Sequence, residues 1–255
     1  MEFSRFVECL GDDFALLRAA VAVDVAPTVP TCPEWTVADL GRHVGQVYLH
    51  KTSIMRDGAE PDPWPPEGLD EEEPLALLDR TYADLVEQFA AHTPEDRAQT
   101  WYGPDQTVGF WIRRMAQETV VHRIDAELAV GKDVSPVPDD LAVDGVDELL
   151  RIFVGYYVRE WPDHFGSVLA GSPGWTCALR TTDGSAAWTV RTGAGWFDVE
   201  DGVAETVDAT VIAEPQDLLR WVWNRETPGE QTRVVVEGEQ AAVEEMRACV
   251  AKSTQ

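Results

Sequence analysis

The residues Glu118-Thr119-Val120-Val121-His122-Arg123-Ile124-Asp125 carry the sharpest chemical signal in the chain. They fall where apolar spacing predicts a helix, so Glu118 and His122, four apart, face the same way, one turn from each other. Asp125, three further on, stays on that stripe. A carboxylate and an imidazole placed like this can grip one metal ion from one helix. His122 is expected to bind as the neutral imidazole, with Asp125 able to receive its other ring N–H. Two ligands do not make a site, because a catalytic Zn²⁺ usually takes three protein groups and keeps one position open. His43, between Gly41 and Gly45 on another predicted helix, faces the same way as Leu40, Val44 and Val47 and is the expected third ligand. His50, seven residues on, lies near the same face and competes for the role. A histidine on an apolar helix face is commonly just a hydrogen-bonded core residue, and spacing alone leaves that reading open. The pattern is not HExxH, which disfavours a zinc protease.

Other residues carry weaker signals. Cys32 lies between Thr31 and Pro33 with no base nearby in sequence, and reads as a small packed residue rather than a reactive thiol. Arg225 follows Trp221-Val222-Trp223-Asn224 at the end of a predicted helix. It is singled out as the group that reaches a substrate carboxylate, against the plainer reading of a basic residue at a helix C-terminus. Arg114 precedes Glu118 by four and can pair with it. The run Asp70-Glu71-Glu72-Glu73 reads as a helix start favoured by the dipole. The chain shows no nucleotide-binding glycine pattern and no Ser-His-Asp arrangement.

The elements that must hold these residues change in character along the chain. Apolar positions three and four apart predict helices over residues 3–21, 36–55, 72–91, 107–130 and 139–160. Thr36-Val37-Ala38-Asp39 resembles a capping box with Asp in place of Glu. Residues 25–34 and 57–68, rich in proline, read as loops. After Pro162 the pattern shortens: strands are expected at 175–180, 187–191, 208–213 and 233–237, with helices at 216–224 and 240–251. The reading is therefore an α+β protein of two domains, a helical bundle over residues 1–162 and a smaller α+β domain over 163–255. Strands are expected only after about residue 160. A metal site on facing bundle helices needs an open side, so the site is expected in a cleft between the domains.

Composition limits the partners. The 255 residues hold 20 Lys+Arg against 46 Asp+Glu, a formal charge of −26. Such a surface repels nucleic acid and anionic membranes, which both need cations on the protein. No segment reaches the length of an apolar membrane span, and the acidic residues among the first 22 do not suit a signal peptide. Cys9, Cys32, Cys177 and Cys249 are far apart with no CxxC, as expected of reduced thiols in a cytoplasmic protein.

Two stretches resemble one family. Pro30-Thr31-Cys32-Pro33-Glu34-Trp35-Thr36-Val37-Ala38-Asp39-Leu40-Gly41-Arg42-His43-Val44 and Glu118-Thr119-Val120-Val121-His122-Arg123-Ile124-Asp125-Ala126-Glu127 look like the signature of the mycothiol-dependent maleylpyruvate isomerase family. That family belongs to the DinB-like superfamily of metal-binding four-helix bundles, and its members carry a second, smaller α+β domain. The resemblance implies a divalent metal, usually zinc, on His43, Glu118 and His122, and mycothiol as thiol cofactor. Ile124 stands where the family often has Trp, which touches packing rather than ligation. Isomerases and thiol S-transferases both occur in the family. The implied function is a metal-dependent, mycothiol-using isomerase or S-transferase acting on a small electrophile. The alternative is a non-catalytic bundle that keeps a metal for structure or binds a small molecule or partner; a fourth protein ligand, His50 or Asp125, would favour it. Three lysines against seventeen arginines fit the high-GC genomes of actinobacteria, which make mycothiol.

Overall fold

In the computed structural model, which describes residues 1–254, apolar residues three and four apart bury one side of α1 (Phe3–Val21) through Phe6, Leu10, Phe14, Leu17 and Val21. Three further long helices follow, α2 (Val37–Asp57), α3 (Pro74–Ala91) and α4 (Val108–Ala129). Within this part α2 packs on α3, α1 on α4, and α2 on α4. The close approach of α2 to α3 depends on Gly45, where a Cβ would stand 2.8 Å from Leu77 Cγ. Helix α4 differs from the others in being buried on nearly all sides from Val108 to Leu128. A helix buried all round needs its polar groups paired internally, and those of α4 make the site described below.

One expectation for this part is corrected. The proline-rich stretch read as a loop contains an antiparallel hairpin, β1 (Thr28–Val29) and β2 (Cys32–Thr36), with Thr28 opposite Thr36 and Val29 opposite Cys32. Strands therefore do occur before residue 160. The prolines do not prevent it because Pro30 falls in the turn and Pro33 in a short two-stranded edge, where its missing N–H costs no ladder bond to a further strand. The hairpin runs directly into α2 through the capping box. Thr36 Oγ1 accepts from the Asp39 N–H at 3.2 Å, and the Asp39 carboxylate accepts from the Thr36 N–H at 2.9 Å.

The chain divides into two compact units, Met1–Ser135 and a second from Pro136 onward. The helical stretch 139–160, grouped from the sequence with the bundle over 1–162, thus falls in the second unit. Apolar spacing reports which face of a helix is buried, but not which core it joins. That stretch is also not one regular helix. It runs as α5 (Asp139–Glu148), a π-helical segment (Leu149–Tyr156) and α6 (Tyr157–Glu160). Its positions Leu150, Ile152, Val154, Tyr156 and Val158 are buried, alternating with less buried ones. After a short α7 (Gly166–Leu169) comes a five-stranded sheet in the order β5-β4-β3-β6-β7. Its strands are β3 (Trp175–Thr181), β4 (Ala187–Gly193), β5 (Trp196–Asp201), β6 (Ala209–Ala213) and β7 (Val235–Gly238). Strands β3 and β6 are parallel and the other neighbours antiparallel. Helices α8 (Pro215–Val222) and α9 (Gln240–Ser253) complete the unit. The architecture is an α+β, two-domain one: helices first, a strand-rich domain after. Strand β5 had no counterpart in the sequence reading. It is an edge strand on which only Phe197 is buried, with Asp198, Glu200 and Asp201 exposed.

Candidate metal centre

Helix α4 supplies Glu118 and His122 one turn apart, and α2 supplies His43 across from them. His43 Nε2 lies 3.2 Å from Glu118 Oε1, and His122 Nε2 lies 3.3 Å from the same oxygen. One ligand atom from each of the three residues falls within 4.8 Å of the others, making them a set that could hold a cation. The two imidazole rings meet edge to face with centroids 5.0 Å apart. Each carries one nitrogen to a shared focus occupied on its third side by carboxylate.

The groups behind the three set their orientation and charge. Arg114, one turn before Glu118, donates to its Oε2 at 2.7 Å, so Oε1 is the oxygen left to face the histidines. Burial alone would raise the Glu118 carboxyl, but His122, His43 and Arg114 together hold it well below the usual carboxylate range. His122 Nδ1 lies 2.9 Å from Asp125 Oδ2. Asp125 is fully buried, and its other oxygen accepts from the hydroxyl of Thr31. That carboxylate fixes the tautomer of His122 and leaves Nε2 as the atom at the focus. Burial opposes a charged His122, yet the Glu118 and Asp125 carboxylates outweigh it and push the imidazole up to about 9. The focus is therefore a place that attracts positive charge, and a set of two imidazoles and one carboxylate suits a borderline divalent ion. The residues present fit a metal of that kind.

The β1–β2 hairpin is part of the same construction. Thr31 in its turn holds Asp125, and Trp35 on β2 lies with its ring 4.7 Å from that of His43 and 6.2 Å from that of His122. The sequence reading treated this stretch as a connector and gave neither residue a role. The available signal was its position, immediately before a capping box, with Trp35 eight residues ahead of His43.

The remaining sequence candidates lie elsewhere. His50 does not join the set: its Nε2 pairs with Glu60 Oε2 at 3.0 Å. Asp125 stands behind His122 rather than at the focus. Cys32 is half-buried on β2. Arg225 lies in the second unit, 8% exposed, and its Nη1 donates to the carbonyl oxygen of Trp223 at 2.6 Å. It follows Asn224, whose left-handed backbone (φ 57°) ends the turn after α8.

Comparison with known proteins covers both units. The family model of the mycothiol maleylpyruvate isomerase N-terminal domain matches residues 7–127, and that of the corresponding C-terminal domain matches residues 140–245. Among solved structures, the crystal structure of a mycothiol-dependent maleylpyruvate isomerase is similar with a TM-score of 0.63 and 13% identity, covering 94% of this chain and 95% of that one. A histidine-to-alanine mutant of that enzyme matches with the same TM-score and coverage at 14% identity. At these identities the likeness is one of fold. No curated protein matches the chain.

Proposed function

Because this chain belongs to the mycothiol maleylpyruvate isomerase family, we propose that it is a metal-dependent, mycothiol-using enzyme acting on a small electrophile. The observation that carries the reading is the convergence of His43, Glu118 and His122, from two helices, on one focus. Among the described residues no fourth ligand joins them: His50 is engaged by Glu60, and Asp125 by His122 and Thr31. Three protein groups with a position to spare favour a catalytic ion over a structural one, which is usually closed by four. Zinc is the ion that this donor set suits best.

A divalent ion held there would supply a Lewis acid that favours the thiolate form of a thiol at neutral pH. The chain's own residues do the rest. Asp125 keeps Nδ1 of His122 protonated and Nε2 free, and Thr31 keeps Asp125 in place. His122, His43 and Arg114 together hold Glu118 ionised in spite of its burial, and Arg114 turns Oε1 toward the histidines. Trp35 packs its ring beside the rings of His43 and His122. The reaction proposed is addition of the thiolate to a carbon–carbon double bond conjugated to a carbonyl, which takes the electron pair as an enolate, rotation about the resulting single bond, and expulsion of the thiolate as the enolate collapses. The thiol is regenerated and the product is the geometric isomer. Where the thiol stays attached the outcome is an S-transfer, the second reaction type to be tested. Arg225 is assigned to a carboxylate of the electrophile.

Three measurements test the reading. Purified protein should carry about one zinc-class ion per chain, and should isomerise maleylpyruvate only when mycothiol is present; turnover without thiol would overturn the thiol-cofactor assignment. Asp125→Asn removes the carboxylate behind His122 without touching a ligand. It should weaken metal retention about 10- to 100-fold, read by competition with a chelator. Unchanged retention would mean that Asp125 does not orient the ligand. Arg225→Ala should lower turnover of a carboxylated electrophile about tenfold with metal content unchanged, the scale of one lost charge-assisted hydrogen bond. Equal turnover would take Arg225 out of the site.

A further inference from the structure

The chain has only three lysines, and one of them, Lys51, is withdrawn from solvent on the bundle. It stands on α2 eight residues after His43. Its ammonium sits 4.8 Å above the ring of Trp111 on α4, seven residues before Glu118. The rise of a helix offsets Lys51 from His43, and Trp111 from Glu118, by about 10–12 Å along the axes of the same two helices. Lys51 is near enough to Glu118 and Arg114 for their charges to act on it.

Lys51 is braced rather than paired. Its Nζ lies 3.1 Å from His50 Nδ1, and the other nitrogen of that imidazole meets Glu60 at 3.0 Å. Burial and the Lys51 charge both disfavour a protonated His50. The neutral ring then donates from Nε2 to Glu60 and accepts at Nδ1 from the ammonium. Trp64, from the proline-rich loop after α2, closes on His50 with ring centroids 4.6 Å apart. Among the described residues, no carboxylate lies within 4 Å of Nζ. An ammonium has three N–H donors; one goes to His50, and the π-face of Trp111 satisfies charge without consuming a hydrogen bond to an anion. Holding a half-buried lysine this way costs desolvation. The surroundings keep it in place while leaving donors uncommitted. In a protein of net charge −26, such a fixed cation offsets the repulsion that an anionic substrate meets.

We propose that the Lys51 ammonium, positioned by His50 and Trp111, is an anion subsite that binds a carboxylate of the electrophile. This deepens the function proposed above and rests on it. A single positive group near the metal ligands would accept monocarboxylates as well as dicarboxylates.

Lysine footprinting tests the subsite without requiring turnover. The protein, with its metal, is treated briefly with an amine-acylating reagent, and the three lysines are read by mass spectrometry. Maleate, at matched ionic strength in sodium chloride, should slow acylation of Lys51 while leaving the exposed Lys132 and Lys252 unchanged. At about nine times its Kd, maleate should slow Lys51 about tenfold, since only the unliganded fraction reacts. The neutral diamide of maleic acid should give no protection. Absence of protection by maleate, equal protection by the diamide, or protection of all three lysines alike would overturn the proposal. The assay separates this inference from the function it rests on. Protection of Lys51 in a protein lacking mycothiol-dependent turnover would retain the subsite and refute the enzyme reading. Turnover without protection would do the reverse.

Discussion

Replacing His122 by alanine should strip the protein of its metal and of thiol-dependent turnover together, while the fold persists. His122 is one of three groups at the focus, and the two that remain, His43 and Glu118, are fewer than any zinc site normally uses. The loss in metal affinity should exceed the roughly 100-fold upper range for removing an outer partner such as Asp125. The order of the effects is part of the expectation: His122→Ala most severe, Asp125→Asn intermediate. Folding should survive because Glu118 keeps its 2.7 Å bond from Arg114 and is not left as an unpaired buried charge. Metal analysis of the purified variant and its circular dichroism decide the matter. Full metal content in a folded His122→Ala protein would remove His122 from the ligand set.

The residues of this site were legible in sequence to the extent that they share one helix. Glu118, His122 and Asp125 declare their common face by spacing of four and three, which any α-helix converts into adjacency. His43 could be matched to them only through its apolar neighbours and the family resemblance, because no local rule says how α2 lies against α4. The residues that complete the site from outside were not read. Thr31 and Trp35 stand in a stretch whose prolines signal a loop, and a two-residue strand leaves too short an alternation to recognise. The same limit explains the domain boundary. The stretch 139–160 repeats the apolar spacing of the bundle helices, and only its partners, α8 and the sheet strand β5, show which core it serves. Strand β5 was missed although Phe197-Asp198-Val199-Glu200 alternates apolar and polar and the turn Gly193-Ala194-Gly195 before it, with Gly195 at φ +80°, was a usable signal. The roles of Lys51 and Glu60 depend on a loop folding back over α2, which composition does not encode.

Arg123 is the residue whose loss should cost the first unit most stability. It is fully buried and follows His122, so it points away from the metal focus toward α1. Its Nε donates to Asp13 at 3.0 Å, and its Nη1 donates to Glu127 at 2.8 Å and to the carbonyl oxygen of Ser135 at 2.7 Å. Asp13 and Glu127 are themselves only 4% and 3% exposed. Arg123→Met keeps much of the side-chain volume and removes the cation, leaving two carboxylates facing each other out of water. Breaking a buried pair in this way typically costs about 3–5 kcal/mol. The cost should depend on pH, and the sign follows from Asp13. Burial pushes its carboxyl up to about 6 from 3.8, with Arg123 opposing and Glu127 adding to the rise. A carboxyl raised on folding stabilises the native state below its unfolded value of 3.8, and that contribution is lost as pH rises through about 6. Without Arg123 the opposing influence is gone and the rise is larger. The melting temperature of Arg123→Met should therefore fall further below the parent's at pH 7.5 than at pH 5. Asp13→Asn, which leaves Arg123 facing one carboxylate, should melt closer to the parent at pH 7.5 than Arg123→Met does. An equal drop for Arg123→Met at both pH values would assign the loss to packing of the guanidinium instead of its charge.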